Sequence, residues 1–415
     1  MPRPLTLLGS LILATVFFAG LAEQMAQAQT FTVIHNFSGY DDGSIPATGT
    51  LDAAGNFYGT TYAGGTHQPT CNTYCGTVFK LSENNGVWIL STLYNFSGQA
   101  FEGAAPQQGV IFGPDGALYG TTEYGGCPTC AGTVFKLAPP GAGCLNGECN
   151  WLETTLHDFS GFSDGGLPSS GVVFDSAGNL YGTTSAGGAN NVGTVYELSP
   201  AGVLWNETVL YTFMGGADGG SPQQGVVFNN AGDFFGTCCI FDQNNPNGAV
   251  YELTPTGSGY SKSFIYNFSG GLDGSNPLGL IIDSSGKLYG TTEGGGTGAG
   301  GTVYELLPQN GGWSFALLYA LPGSVGPGSE ARLTMDAAGN LYGTTYYGGQ
   351  DGYGSVFKLA PTMGSWTYRS LHAFTGGLDG RYPGSSVVLD SQGNVYGTAL
   401  AGGAYGLGVA FKIEQ

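Results

Sequence analysis

Seven copies of one short motif limit what this chain can fold into. An apolar residue followed by Tyr or Phe and then Gly-Thr recurs around Tyr58, Tyr119, Tyr181, Phe235, Tyr289, Tyr342 and Tyr396. Successive copies lie 61, 62, 54, 54, 53 and 54 residues apart. A period of this size marks an array of like units that bury their apolar faces by stacking on one another. One unit is legible in residues 171–213. Gly171 to Phe174 reads as a short apolar strand, a, and Asp175 to Asn179 as a hairpin turn. Leu180 to Thr184 reads as strand b, Gly193 to Leu198 as c, and Trp205 to Phe213 as d. Four short strands per unit predict antiparallel blades, and repeated blades close into a propeller. Composition agrees. Gly is 77 of 415 residues, aromatics are 13 % and charged residues only 9 %, against a usual ~7 % for Gly and ~25 % for charge. Such a chain is neither a helical protein nor a disordered Gly-rich polymer.

The chain ends predict how the ring closes. The last copy has a (Ser386 to Leu389), b (Val395 to Thr398) and c (Val409 to Ile413), but no d. Before the first copy, Val33-Ile34-His35-Asn36-Phe37 matches the d-strand segment Thr92-Leu93-Tyr94-Asn95-Phe96. The expectation is therefore an all-β, seven-bladed β-propeller of four-stranded antiparallel blades over residues 29–415, closed by the N-terminal strand. That closure also covers an edge which would otherwise be open.

Residues 1–28 read as a signal peptide. Arg3 precedes an apolar run, Leu5 to Ala22, and Ala26-Gln27-Ala28 is a small-x-small cleavage site. The expected location is extracellular or periplasmic, with no membrane span after cleavage and no apolar C-terminal anchor. Ten basic against 29 acidic residues give a net charge of −19. No basic face exists to displace counterions from nucleic acid, so that partner class is excluded. Eight cysteines in an exported chain read as disulfide candidates: Cys71 with Cys75, Cys127 with Cys130, Cys144 with Cys149, and the adjacent Cys238 and Cys239. A Cys₄ zinc site at Cys71, Cys75, Cys127 and Cys130 is the rival reading, which an oxidising compartment disfavours.

The recurring Asn-Phe-Ser-Gly, Asp-Gly-x-x-Pro, Gly-Asn-Leu-Tyr-Gly-Thr-Thr and Gly-Thr-Val-Phe-Lys-Leu blocks resemble the GloVer (Gloeo/Verruco-type) tandem-repeat family of exported bacterial proteins. The resemblance spans essentially the whole mature chain. It implies export and repeats, and no particular reaction.

A residue recurring at one position in every blade reads as scaffold. This filter assigns His35, His157 and His372 to an aromatic slot on strand d, filled elsewhere by Tyr94, Tyr211, Tyr266 and Tyr319. Trp88, Trp151, Trp205, Trp313 and Trp366 each lie six residues before that slot and read as packing residues. Strand c carries Lys after Phe but Glu after Tyr. Lys136 with Glu197, and Glu305 with Lys358, are expected to pair between blades. Asp42, Asp164, Asp218, Asp273 and Asp379 recur in the Asp-Gly-x-x-Pro block, as turn caps or as a ring holding Ca²⁺. No cofactor is otherwise expected.

In an a-b-c-d blade the b–c and d–a connections share one rim, which gathers the long loops. Non-repeating residues there are the ligand-binding candidates: Tyr62, His67, Glu123, Tyr124, Cys238, Cys239, Glu293, Tyr346, Tyr347, Arg381 and Tyr382. Tyr-rich loops bind at low entropic cost. No catalytic motif occurs and no catalytic residue is assigned. The expected function is non-catalytic binding, by a monomer, of a glycan or cell-surface protein. The alternative is a secreted hydrolase or lyase using rim carboxylates such as Glu123 and Glu293, with or without a metal ion.

Overall fold

The computed structural model describes residues 29–65, 75–98, 102–126, 131–141, 151–222, 224–240 and 245–322, and 332–415, with backbone alone at 239 and 240. Seven four-stranded antiparallel sheets form a ring, with no α-helix among the described residues. In blade 3 the strands are Val173–Phe174, Leu180–Thr184, Thr194–Ala201 and Leu204–Thr212, in spatial order a-b-c-d. Strand c runs beyond the expected Leu198 because the c–d hairpin pairs down to Ala201 and Leu204, carrying Pro200 opposite Trp205. Blade 5 gains an extra short strand, Ser275–Pro277, against its strand b.

The N-terminal strand Thr30–Asn36 completes blade 7 by pairing with Val409–Glu414, Val33 opposite Phe411. Its register shifts between Val33 and His35, leaving Ile34 as a bulge. The same shift occurs in every other strand d, at Leu93, Leu156, Leu210, Ile265, Leu318 and Leu371. An aliphatic residue just before the aromatic slot is thus the sequence mark of the bulge. A bulge adds local twist to the strand that carries it. Ile34 and the fully buried Phe37 pack onto Phe57 and Phe79 of blade 1. The two ends of the chain are therefore joined by ladder and core together.

Each residue of the Tyr-Gly-Thr-Thr motif has a separate task. The Tyr hydroxyl donates to an Asp of the a–b turn, as Tyr58 to Asp52 at 3.0 Å and Tyr181 to Asp175 at 3.0 Å. Its ring receives the next blade's Trp edge-on: Trp151 on Tyr58, Trp205 on Tyr119, Trp366 on Tyr289, and Trp88 on Tyr396 across the seam. The Gly lies under an aromatic ring from strand c, and a Cβ on Gly59 would stand 2.6 Å from the Phe79 ring. The first Thr bonds a carbonyl of the next blade, as Thr60 to Gln108 at 2.9 Å and Thr398 to Pro46 at 3.0 Å. The second ties strand b to c, as Thr184 to Thr194 at 2.9 Å. Every tryptophan thus serves inter-blade packing.

The expected inter-blade pairs on strand c are not formed. Lys136 turns to Asp115 of its own blade at 2.5 Å, and Glu305 to Lys287 of its own blade at 2.9 Å. Strand-c side chains at this position point down onto their own motif ring. Lys80, Lys136, Lys358 and Lys412 accordingly sit 5.0–5.9 Å from the Tyr centroid of the same blade.

Candidate functional site

The Asp-Gly turns build the base of the loop rim. In each, the carboxylate takes a backbone N–H four residues earlier and faces the strand-d slot residue, and in all but Asp218, where Met214 stands at that place, it also takes the Ser or Thr hydroxyl there. Asp42 accepts from the Ser38 N–H (3.0 Å) and hydroxyl (2.6 Å) and faces His35 Nε2 at 3.0 Å. Asp379 does the same with Thr375 and His372. Asp164 takes Ser160 and stands 3.5 Å from His157. Tyr211 and Tyr266 donate to Asp218 and Asp273 at 2.7 and 3.1 Å. Burial works to raise the Asp42 and Asp379 carboxyls, but these hydrogen bonds outweigh it and hold both below the usual carboxylate range. Burial lowers His372 despite the facing Asp379. The slot and the Asp ring, read separately in the sequence, are one clamp repeated around the ring. Among the described residues no three His, Cys, Asp or Glu side chains converge as metal ligands would.

Behind each turn the chain enters strand a through a residue held left-handed before a proline. Ile45, Ala105, Leu167, Ser221, Asn276 and Tyr382 have φ between 51° and 60°. Such a conformation is uncommon outside Gly and Asn. It persists here because both backbone groups are fixed. The Tyr382 N–H donates to the Tyr353 carbonyl at 2.9 Å, and its carbonyl accepts from Leu400 at 3.1 Å. Ala105 and Leu167 are held by the same pair of bonds. The proline packs on a Gly of the preceding blade, as Pro106 on Gly76 and Pro383 on Gly354. The side chain at this position plays no part in these bonds. Its identity varies from blade to blade while the backbone does not, which suits display on a rigid support.

Two groups of sequence-selected residues meet on this rim. Tyr346 stacks on Tyr382 (4.9 Å between centroids, 8° between planes), and Tyr347 meets both rings edge-on at 4.7 and 5.5 Å. Arg381 lies 5.5 Å from the Tyr382 ring, and its Nε has no hydrogen-bond partner among the described residues. Tyr353, which the sequence reading did not select, joins the cluster at 6.0 Å. Tyr347 is 53 % exposed. On the junction of blades 1 and 2, Tyr62 donates to Glu123 at 3.1 Å, Gln107 donates to the same carboxylate, and Tyr124 stands beside them, 44 % exposed. Burial raises the Tyr62 hydroxyl, and the Glu123 charge adds to it.

Glu293 stands apart on blade 5, accepting from Asn276 at 3.3 Å. Blades 3 and 4 separate it from Glu123, so the two rim carboxylates do not form an acid–base pair. Cys75 and Cys238 are buried, and no cysteine among the described residues is free. Cys238 faces Ala249, the place where other blades tie two hydroxyls. His67, Cys71, Cys127, Cys130, Cys144 and Cys149, and the side chain of Cys239, lie outside the described residues, as does the expected signal peptide. The turn tips add Tyr40, Phe162, Leu272 and Leu378, 65–75 % exposed. Their mark in the sequence is a large apolar residue one or two places before the repeat Asp.

Residues 18–152 and 226–415 match the Gloeobacter/Verrucomicrobia repeat. No curated protein matches the chain. Among solved structures, a putative 6-phosphogluconolactonase from Bacteroides uniformis ATCC 8492 is 14 % identical, with a TM-score of 0.47 over 78 % of this chain and 84 % of that one. A protein of unknown function from Dyadobacter fermentans DSM 18053 is 11 % identical, with a TM-score of 0.46 over 92 % and 97 %. A putative oxidoreductase (glucose dehydrogenase) from Thermus thermophilus is 16 % identical, with a TM-score of 0.44 over 74 % and 95 %.

Proposed function

The chain belongs to the Gloeobacter/Verrucomicrobia repeat family, and from that premise we propose that it is an exported, non-catalytic binding propeller that holds a glycan through its loop rim. The signal-like residues 1–28 support export, to the periplasm or beyond. The observation that carries the binding reading is the cluster of Tyr346, Tyr347, Tyr353 and Tyr382 beside Arg381. Rigid aromatic faces offer sugar rings a surface at little conformational cost, and the half-buried Arg381 guanidinium beside them adds hydrogen-bond donors. Tyr62, Glu123 and Tyr124 supply a second polar-aromatic patch two blade junctions away. No ion or cofactor takes part in this reading.

The test is a glycan array with purified mature protein, followed by titration of any hit against Tyr347→Ala and Arg381→Ala. Both side chains lie on the rim and outside the core, so folding is expected to survive. Loss of at least tenfold in affinity, with unchanged urea unfolding, is the expected result. Absence of any glycan hit, or a hit indifferent to both substitutions, removes the proposal. A mass map of the disulfides in secreted protein tests the oxidised compartment independently.

A further inference from the structure

The opposite rim carries a second site, built where blade 4 departs from the repeat. The groove there has a volume of about 580 Å³ and lies between blades 4 and 5. Its walls include Asp233, Phe235, Glu252, Ser263, Gln309 and Trp313. Two departures from the repeat, Phe235 and Asp233, open it beside Glu252, a residue that blades 3 and 5 match with Glu197 and Glu305. Phe235 stands where every other blade has the motif Tyr, so a hydroxyl is missing. Glu252 occupies the strand-c place where four blades carry a Lys over that ring. Asp233 occupies the last position of the a–b turn, where blade 5 has Lys287.

Blade 5 shows what is missing. There Lys287 places its ammonium 2.9 Å from Glu305, in the equivalent of Glu252. Blade 4 keeps the Glu and replaces the Lys with a second carboxylate. Asn229 and Asp233 have exchanged amide and acid, and the turn still closes, Asn229 Nδ2 donating to Asp233 at 2.8 Å. Burial and the charge of Asp233 raise Glu252, with only the Trp313 N–H working against them. Lys262 does not relieve this. It pairs with Leu253 in the ladder, on the other face of the sheet from Glu252, and turns to Asp218 at 3.3 Å. Among the described residues the groove is therefore lined by two carboxylates that no cation pairs, by an indole, and by neutral hydrogen-bonding groups from Ser263 and Gln309.

We propose that this groove binds an amino sugar, its free ammonium lying between Glu252 and Asp233 where blade 5 holds the Lys287 ammonium. The volume exceeds what an ammonium needs, and the lining is polar as well as aromatic. That combination fits a hydroxylated ring better than an alkyl chain. The site is on the other rim from the tyrosine cluster and does not rest on the glycan reading given above.

The test titrates a fully deacetylated chito-oligosaccharide and its N-acetylated counterpart of equal length into the mature protein by calorimetry. A lysine-amide peptide serves as a third ligand. The amine form is expected to bind at least tenfold more tightly than the acetylated form, since a charge-assisted bond is lost on acetylation. Asp233→Lys copies blade 5 and is expected to abolish binding while raising the unfolding midpoint. Glu252→Gln is expected to weaken binding by a similar factor. Each titration is repeated in Tyr347→Ala, which removes any share held on the loop rim, and the preference for the amine is expected to persist there. Equal binding of both oligosaccharides overturns the proposal. So does binding that survives Asp233→Lys, which is then general attraction to an acidic chain, and so does loss of the preference in Tyr347→Ala, which moves the ligand to the loop rim. A lysine-amide bound as tightly as the amino sugar overturns the assignment of the ligand.

Discussion

Truncating Phe37 tests whether the ring is closed by its N-terminus as firmly as it is built elsewhere. Phe37 is fully buried and meets Phe79 of blade 1 at 5.1 Å and His35 at 4.8 Å. Phe213 holds the equivalent place on the strand d of blade 3, is also fully buried, and meets Tyr251 of blade 4 at 5.3 Å. The two rings do the same work, one at the seam and one within continuous chain. A buried Phe→Ala change costs about 3–5 kcal/mol, from lost transfer energy and the cavity left behind. If the seam is as tight as an internal junction, Phe37→Ala and Phe213→Ala lower stability alike, by that amount. In urea, with slopes at or above ~3 kcal/mol per molar for a chain of this size, each midpoint falls by roughly 1 M. Tryptophan fluorescence reads the transition, since the tryptophans sit at blade junctions. A Phe37→Ala midpoint shift below a quarter of that for Phe213→Ala refutes the reasoning, for it means the N-terminal strand detaches without unfolding the ring.

Three further outcomes follow from packing and charge. Glu207 has a buried Oε1 without a hydrogen-bond partner among the described residues, and burial together with Asp164 raises it to about 7. Its folded form keeps a proton that the unfolded chain releases near 4.5, so stability falls as pH rises from there to about 7 and is level above. Glu207→Gln should stabilise the protein at pH 8 and change little at pH 4, read from urea midpoints at both. Tyr251 buries a hydroxyl without a partner over Gly236, where four other blades carry Phe. Tyr251→Phe should be neutral or stabilising by up to about 1 kcal/mol, and a clear loss in thermal unfolding contradicts the assignment. Gly343→Ala places a methyl 2.6 Å from the Phe357 ring, so a loss of about 1–3 kcal/mol is expected in the same measurement.

The fold is legible because its signals are local and repeated. The Tyr-Gly-Thr copies count the blades, and Val33-Ile34-His35-Asn36-Phe37 reads as a strand d because six other segments share its pattern. Pairings that depend on side-chain direction are not legible. Lys136 and Glu197 have opposite charge on adjacent blades, yet strand c aims each at its own motif ring, a direction that composition does not carry. The clamp between His35 and Asp42 reads as two unrelated repeats because its partners are seven residues apart, across a turn whose closure only the backbone shows. On the rim, Tyr346, Tyr347, Arg381 and Tyr382 stand out as departures from the repeat, whereas Tyr353 hides in a loop of irregular length. The blade 4–5 groove escapes for a different reason. Its residues occupy repeat positions, and the filter that removes repeat residues as scaffold also removes Asp233 and Glu252.

That omission sharpens the rule for a chain of repeats. A position is scaffold when its chemistry recurs, and a place within the repeat becomes informative when one copy inverts the charge that its neighbour needs. Arg332 follows the same logic on the ring axis. Six blades begin strand a with Thr48, Gly109, Gly171, Gly225, Gly279 and Ser386, all small. Arg332 fills the seventh place and lies across Gly279 and Gly225 to donate to the Gln224 carbonyl at 2.9 Å. It spans from blade 6 to blade 4 and leaves a cavity of about 120 Å³ on the axis. A space of that size holds a few waters and no sugar ring. Among the described residues this axial space is too small to seat a sugar ring, so a glycan is to be sought on the two rims rather than on the axis.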